Sequence, residues 1–321
     1  MQEKIFHIED NSQFEALALE IFDYQIQHNN IYAEYAKLIL KGKKPKNIYE
    51  IPFLPISFFK THQIICKWRK IEQIFHSSGT TGEKSRHFVS DIDLYKQSFL
   101  TSFNQFYGNI KDYCILSLLP NYRAQKNSSL VYMVNELISM SENGDSGFYL
   151  DNYKEVASIL KKLERKKQKT ILFGVSYAIL DLAIQFPQKL KSTIIIETGG
   201  MKGRRKELLK EELHMKIQSA FKLQNVHSEY GMTELLSQSY SFQNGIFKCP
   251  AWKKVLIRDI HDPLSIIDNN KTGGINIIDL ANIFSCSFIA TDDLGEKYDD
   301  DTFSILGRIS NSDLRGCNLM I

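Results

Sequence analysis

Three short apolar runs, residues 113–119, 170–174 and 193–196, constrain the fold of this chain more than any other feature. Each is too short for a buried helix, and none alternates apolar with polar as a half-exposed strand would. A strand that is apolar on both sides is covered on both faces, as in a parallel sheet flanked by helices. The segment between the second and third runs, from Tyr177 to Phe186, has helical spacing instead. Strands alternating with helices predict an α/β fold with mostly parallel sheets.

Upstream, residues 11–41 read as helical. Phe14, Leu17, Leu19, Ile21 and Phe22 form one apolar face, and Tyr32, Tyr35, Leu38 and Ile39 continue it after a polar break. Pro45, Pro52 and Pro55 end the pattern, and residues 51–60 read as an irregular buried loop. Asp91 or Asp93 can cap a helix carrying Ile92, Tyr95, Phe99, Phe103 and Phe106, which Gly108 stops. After about residue 246 the character changes. Short β-rich runs at 255–257, 275–278, 285–290 and 303–306 are separated by turn signals such as Asp262-Pro263 and Gly273-Gly274. The expected division is a large α/β core over 1–245, including the N-terminal helical segment, and a smaller β-rich subdomain over 246–321.

Composition excludes several classes. A net charge of +3, with basic residues spread along 321 residues, gives no nucleic-acid footprint. No run of about 18 apolar residues predicts a membrane span, and residues 1–10 lack the apolar core of a signal peptide. Five scattered cysteines without a CxxC pair suit a reducing cytoplasm, not a disulfide framework or a structural zinc site.

Four islands carry chemistry. The first is Ser77-Ser78-Gly79-Thr80-Thr81-Gly82-Glu83-Lys84-Ser85. Its glycines let the backbone approach a ligand, and its amides, hydroxyls and lysine can face a polyphosphate. It is not a Walker A loop, which needs four residues between its glycines and a lysine directly after the second. A solvated turn of turn-forming residues has the same composition. The second is His227-Ser228-Glu229-Tyr230-Gly231-Met232-Thr233-Glu234, with residues 225–226 as a strand end. Here Gly231 turns the chain and exposes Tyr230, Thr233 and Glu234 at the carboxyl edge of the sheet, where open α/β sheets bind ligands. The ring can stack on a base, the hydroxyl can reach a phosphate, and the carboxylate can hold Mg²⁺. A half-buried tyrosine beside a surface glutamate is the bland alternative. The third is Thr291-Asp292-Asp293-Leu294-Gly295, followed by Gly307-Arg308 and Asp313. A carboxylate leaving a strand can bond ribose hydroxyls there, and an arginine can reach ribose or phosphate; a polar turn followed by an ordinary strand, with Asp299, Asp300 and Asp301 as solvated loop, is the bland alternative. The fourth, Glu197-Thr198-Gly199-Gly200, follows an apolar strand; its glycines can admit a flat ring or serve as plain turn residues.

In this order the four islands resemble the adenylate-forming superfamily, which includes acyl-CoA synthetases and phenylacetate-CoA ligase. The closer resemblance is to the acyl-protein synthetases, the fatty-acid-activating subunits linked to bacterial bioluminescence. It rests on residues 51–55 running into Phe58-Phe59-Lys60-Thr61-His62, on residues 197–203, and on Arg315-Gly316-Cys317, and it covers the chain from about residue 10 to its end. The resemblance implies a large adenylate-forming N-terminal-type domain without the full C-terminal lid of larger members, with 246–321 ending near the superfamily hinge. It implies that Ser77, Ser78, Gly79, Thr80, Thr81, Gly82 and Lys84 hold ATP phosphates, and that Tyr230, beside Gly231, stacks on adenine in a slot lined by Gly199 and Gly200. Thr233 would touch phosphate, Glu234 would hold Mg²⁺, and Asp293 would bind ribose with help from Arg308.

The reaction so implied is ATP-dependent activation of a carboxylic acid, a fatty acid by family, to an acyl-adenylate. Lys84 and Arg308 would neutralise charge, and Cys317 would take the acyl group as a thioester, in a ligase that forms carbon–sulfur bonds. Implied partners are the acid, an acyl reductase or transferase, and a carrier protein. Two alternatives stay open: an acyl-CoA or acyl-carrier-protein ligase of the phenylacetate-CoA ligase type, and a non-catalytic nucleotide-binding subunit. Cys66, Cys114, Cys249 and Cys286 read as packing residues. His76 and His227 can orient substrate or serve the structure, and Lys202, Arg204 and Arg205 form a basic patch.

Overall fold

The computed structural model describes residues 1–78, 83–120, 125–150, 152–199 and 208–309. In chain order these form α1 (Asn11–His28), α2 (Asn30–Leu40), β1 (Leu54–Pro55), α3 (Phe58–Thr61), β2 (Gln73–His76), β3 (Arg86–Val89), α4 (Ile92–Tyr107) and β4 (Cys114–Leu118). There follow α5 (Ser129–Ser141), β5 (Gly147–Phe148), α6 (Tyr153–Arg165), β6 (Thr170–Val175), α7 (Ser176–Gln185), β7 (Thr193–Thr198) and α8 (Lys210–Phe221). The remainder is strand: β8 (His227–Tyr230), β9 (Ser239–Ser241), β10 (Ile246–Lys248), β11 (Lys253–Arg258), β12 (Thr272–Asp279), β13 (Phe288–Lys297) and β14 (Phe303–Arg308). The chain divides into two compact units. One holds Met1–Ser98, Thr233–Ser237 and the chain from Lys248 onward; the other holds Phe99–Met232 and Gln238–Phe247.

The second unit contains the parallel sheet that the apolar runs predict. Its strands lie in the order β5-β4-β6-β7-β8, all parallel, with β9 antiparallel on β8. Every residue of β4 and β6 is buried, which is why neither strand alternates in sequence. Each fully buried Ile or Leu there contributes about 2 kcal/mol of transfer free energy. Register aligns the carboxyl ends: Val175 lies opposite Thr198, and Thr198 opposite Glu229. Ser176, Gly199 and Tyr230 therefore leave the sheet along one edge.

The first unit is built on an antiparallel meander, β11-β12-β13-β14, with β1 parallel on β13. That pairing corrects the sequence reading of residues 51–60: Leu54 and Pro55 lie in register with Ile289 and Ala290 as an edge strand, and a helical turn, α3, follows. The polar break between the first two helices is Asn29. Its backbone ends α1, its Oδ1 accepts from the Tyr32 amide at 3.1 Å to cap α2, and its Nδ2 donates to the Ser285 carbonyl at 2.8 Å. Of the two candidate caps for α4, Asp91 serves, accepting from the Leu94 amide at 2.8 Å. Among the described residues no helix is long and apolar enough to cross a membrane.

A buried amide ties helix α1 to the connection between β12 and β13. Gln25 Nε2 donates to the carbonyls of Asn282 (3.1 Å) and Ile283 (2.9 Å) and to Ser287 Oγ (3.1 Å), and its Oε1 accepts from the Ser287 amide (3.1 Å). Gln25 is fully buried, so truncation leaves several polar groups without water or partner. Gln25→Ala is expected to destabilise the fold by about 3 kcal/mol, read as a lower urea midpoint with an unchanged slope.

Candidate functional site

In the first unit β2 and β3 form a hairpin whose last pair is His76 and Arg86. Beyond it the Ser77 amide donates to the Ser85 carbonyl at 3.1 Å, and the Ser85 amide donates to Ser77 Oγ at 3.0 Å. These two serines close the stem of the Ser/Thr/Gly loop. Ser77 is half-buried, while Ser78 and Lys84 are exposed. The Ser85 hydroxyl turns inward and bonds the Glu234 carboxylate.

Glu234 is buried, not exposed as the sequence suggested. Desolvation pushes its carboxyl above the ordinary range, and Asp293 adds to this. The Ser85 hydroxyl, a backbone amide and the Arg308 charge act the other way. Asp293 and Arg308 are cross-strand partners on β13 and β14, and Arg308 Nε lies 3.5 Å from Asp293 Oδ1. The arginine side chain is 85% exposed, whereas that of Asp293 is 14% exposed. The stem serine, Glu234, Asp293 and Arg308 thus share one electrostatic neighbourhood: a buried acid, a shielded acid and a cation open to solvent. Arg258, buried on β11, braces this corner. Its guanidinium donates to the carbonyls of Ile275 (2.8 Å) and Thr291 (2.6 Å), and Thr291 Oγ1 accepts from the Asp293 amide at 3.1 Å.

The segment carrying Glu234 has a dense support that sequence reading missed. His87, buried on β3, bonds the Thr233 carbonyl at 2.8 Å and Asn282 Oδ1 at 3.0 Å. Asn282 Nδ2 donates to the Glu234 carbonyl and the Cys286 carbonyl, each at 2.8 Å. Asp279 accepts from the amides of Leu236 (2.8 Å) and Ser237 (3.0 Å). Thr233 is half-buried, with its carbonyl pinned. An acid and an amide three residues apart, after an apolar strand, were the signal for this support.

In the second unit Tyr230 ends β8 and is buried, again unlike the expectation, with its ring tilted against Phe247 at 5.9 Å. A Cβ at Gly231 would stand 2.5 Å from Glu229 Oε1, so only glycine fits without a shift. Gly199 is exposed and has φ +67°, the left-handed region that glycine enters without strain. Behind it lies Glu197. Its Oε2 accepts from Ser176 Oγ at 2.6 Å, and its Oε1 from Ser228 Oγ at 2.6 Å, Lys210 Nζ at 3.2 Å and His214 Nε2 at 3.5 Å. Ser176 also reaches the Gly199 carbonyl. His227 is half-buried against Tyr107, its rings 5.8 Å apart, and burial pushes its imidazole down to about 4.

Gly79, Thr80, Thr81, Gly82, Gly200, Cys317 and the basic patch of Lys202, Arg204 and Arg205 lie outside the described residues. Cys66, Cys114 and Cys286 are buried, and burial pushes the first two thiols up to about 12 and about 11. Cys249 is only half-buried. Among the described residues no cluster of three or more His, Cys, Asp or Glu can hold a metal ion.

The family model for "Acyl-protein synthetase, LuxE" matches residues 5–321. Similar solved structures include ATP-bound MatB from Rhodopseudomonas palustris, at TM-score 0.57 and 16% identity over 74% of this chain and 48% of that one. A 2-hydroxyisobutyryl-CoA ligase solved with its acyl-AMP and CoA matches at TM-score 0.70 and 11% identity, over 94% of this chain and 70% of that one. MenE, the O-succinylbenzoate coenzyme A synthetase of Bacillus subtilis, matches at TM-score 0.50 and 17% identity, over 73% and 49%. The chain spans about half the length of the first structures it matches, which share its fold. A search of curated sequences finds no significant match.

The Glu197 cluster gives a test by acid. Burial alone would raise this carboxyl, but His214, Lys210 and the two serines outweigh it and hold the value at about 2. A folded value below the unfolded one stabilises the fold at higher pH, and that stabilisation is lost as pH falls from the ordinary glutamate range toward the folded value. Glu197→Gln is expected to cost about 3 kcal/mol near neutral pH, with the gap to wild type closing near pH ~2. Urea titrations at a series of pH values measure it.

Proposed function

The chain belongs to the acyl-protein synthetase, LuxE, family, and from that premise we propose that it activates a carboxylic acid, a fatty acid, with ATP and passes the acyl group to its own Cys317. The supporting observation is the neighbourhood of Ser85, Glu234, Asp293 and Arg308, which joins the stem of the Ser/Thr/Gly loop to two carboxylates and an exposed cation.

The roles follow from chemistry. Ser77, Ser78, Gly79, Thr80, Thr81, Gly82 and Lys84 bind the phosphates of ATP. Gly199, Gly200, Tyr230 and Gly231 take the adenine, Thr233 bonds a phosphate oxygen, and Asp293 with Arg308 holds the ribose end. Glu234 fits Mg²⁺. Its desolvated carboxylate has an incompletely offset charge, and a magnesium ion carried by phosphates needs only one or two protein carboxylates. When bound, the ion neutralises phosphate charge. The substrate carboxylate attacks the α-phosphorus, the bond to the bridging oxygen breaks, and pyrophosphate leaves with that electron pair. Lys84 and Arg308 offset the negative charge that builds up, and the pinned backbone keeps Thr233 and Glu234 from reorganising. The Cys317 thiolate then attacks the acyl carbon, AMP departs, and a thioester remains. A cysteine thiol is a few per cent ionised at neutral pH, with an ordinary pKa of about 8.5. Among the described cysteines, burial keeps Cys66, Cys114 and Cys286 protonated, so none of them competes for the acyl group. An acyl reductase, a transferase or a carrier protein would then receive it.

Intact mass spectrometry after incubation with ATP, Mg²⁺ and a panel of fatty and aryl acids tests the scheme. The expected result is a mass gain of one acyl group, removed by hydroxylamine and absent from Cys317→Ser, while acid-dependent pyrophosphate release persists in that variant. Pyrophosphate release with no adduct would move the acceptor to coenzyme A or a carrier protein. Neither signal would leave a non-catalytic nucleotide-binding subunit. Glu234→Gln is expected to lower kcat/KM for ATP by about 100-fold, a loss typical of removing one charge-stabilising group, measured by pyrophosphate release.

A further inference from the structure

The sequence Lys67-Trp68-Arg69-Lys70 forms an exposed turn in the first unit. Trp68 is 94% exposed, the most exposed of the large hydrophobic residues described. Its φ is +64°, left-handed backbone that a bulky residue adopts only at a cost. No burial of the indole offsets that cost. The turn is nonetheless firmly seated. The Cys66 amide donates to the Phe284 carbonyl at 2.8 Å, the Lys67 amide donates to the His28 carbonyl at 2.7 Å, and the Arg69 guanidinium lies 3.5 Å from the centre of the Phe284 ring. The fold therefore holds one strained, wholly exposed indole between three exposed cations.

A second cationic segment is anchored to the same helix. Residues 41–46 carry Lys41, Lys43, Lys44 and Lys46 between exposed Leu38 and exposed Tyr49, and Lys44 pairs with Asp23 of α1 at 2.7 Å. Asp23 and His28, the two anchors, are five residues apart in α1, about 8 Å along its axis.

We propose that these two segments form a membrane-surface contact, in which the Trp68 indole enters the headgroup region of an anionic bilayer and the flanking lysines pair with its phosphates. Indole prefers that zone because its ring is apolar and its N–H is polar. Lysine and arginine near an anionic leaflet are each attracted by an amount worth roughly fivefold in partitioning. A projecting four-residue turn offers far less area than the roughly 800 Å² per partner of a specific protein interface, whereas a bilayer accepts a small convex probe. The contact is peripheral and needs no spanning segment, and it does not depend on the adenylation reading.

Sedimentation of the full chain with vesicles tests it. Wild type is expected to bind vesicles of equimolar phosphatidylcholine and phosphatidylglycerol, not vesicles of phosphatidylcholine alone, and to be released by salt. Trp68→Gly is expected to bind about tenfold more weakly, with its Tm unchanged or raised, because glycine relieves the left-handed backbone while removing the indole. Lys67→Gln with Lys70→Gln is expected to weaken binding about 25-fold. The chain has only two tryptophans, and Trp252 is buried. Subtracting the Trp68→Gly emission from that of wild type therefore isolates Trp68, whose spectrum is expected to shift to the blue on the mixed vesicles. Equal sedimentation of wild type and Trp68→Gly, or no blue shift, would overturn the proposal. So would retention on an acidic protein that depends on Trp68 without any vesicle binding, which would assign the turn to a protein partner.

Discussion

Five residues, Thr233–Ser237, lie outside helix and strand, and their backbone is satisfied by side chains that arrive from elsewhere in the chain. His87 takes the Thr233 carbonyl, Asn282 the Glu234 carbonyl, Asp279 the amides of Leu236 and Ser237, and Lys253 the Ser237 carbonyl at 3.0 Å. A buried segment with no ladder to join must be paid for in this way or not exist. Within the first unit it carries Glu234 to the stem of the Ser/Thr/Gly loop. Glu234 meets the stem serine of the phosphate-type loop because its own backbone has no freedom to turn away.

Two buried glutamates, one in each unit, show opposite electrostatic solutions. Glu197 is buried but answered by a lysine, a histidine and two hydroxyls, so it stays ionised far into acid. Glu234 is buried with fewer answers, so its charge is costly. The first arrangement is that of a structural brace, complete in itself. The second leaves the carboxyl above its ordinary range, because the Ser85 hydroxyl, one backbone amide and the Arg308 charge do not outweigh desolvation and the nearby Asp293.

What could be read from sequence divides along a physical line. The strands β4, β6 and β7 were legible because strands buried on both faces are continuously apolar. The order of the four islands carried the family, which the match over residues 5–321 bears out. Burial of Tyr230 and Glu234 was not legible, because a glycine after a tyrosine signals a turn and says nothing of what covers it. The β1 edge strand was missed because Pro55 and the aromatic run around it look irregular, and only its parallel register with Ile289 and Ala290 makes it a strand. The supports His87, Asp279 and Asn282 were missed for a different reason, although the last two stand three residues apart after an apolar strand. Each acts across more than forty residues of sequence on a backbone atom, and backbone atoms carry no sequence identity.

Gly231 has a consequence beyond its own turn. The Glu229 carboxylate stands where a Cβ at 231 would go, and the same carboxylate accepts from the Thr198 hydroxyl. Gly231, Glu229 and Thr198 are therefore coupled through one carboxylate. A side chain at 231 displaces Glu229, a displaced Glu229 abandons Thr198, and Thr198 immediately precedes the left-handed Gly199. A substitution at 231 is therefore felt first at the Glu229–Thr198 hydrogen bond, because the carboxylate end is the part that must shift.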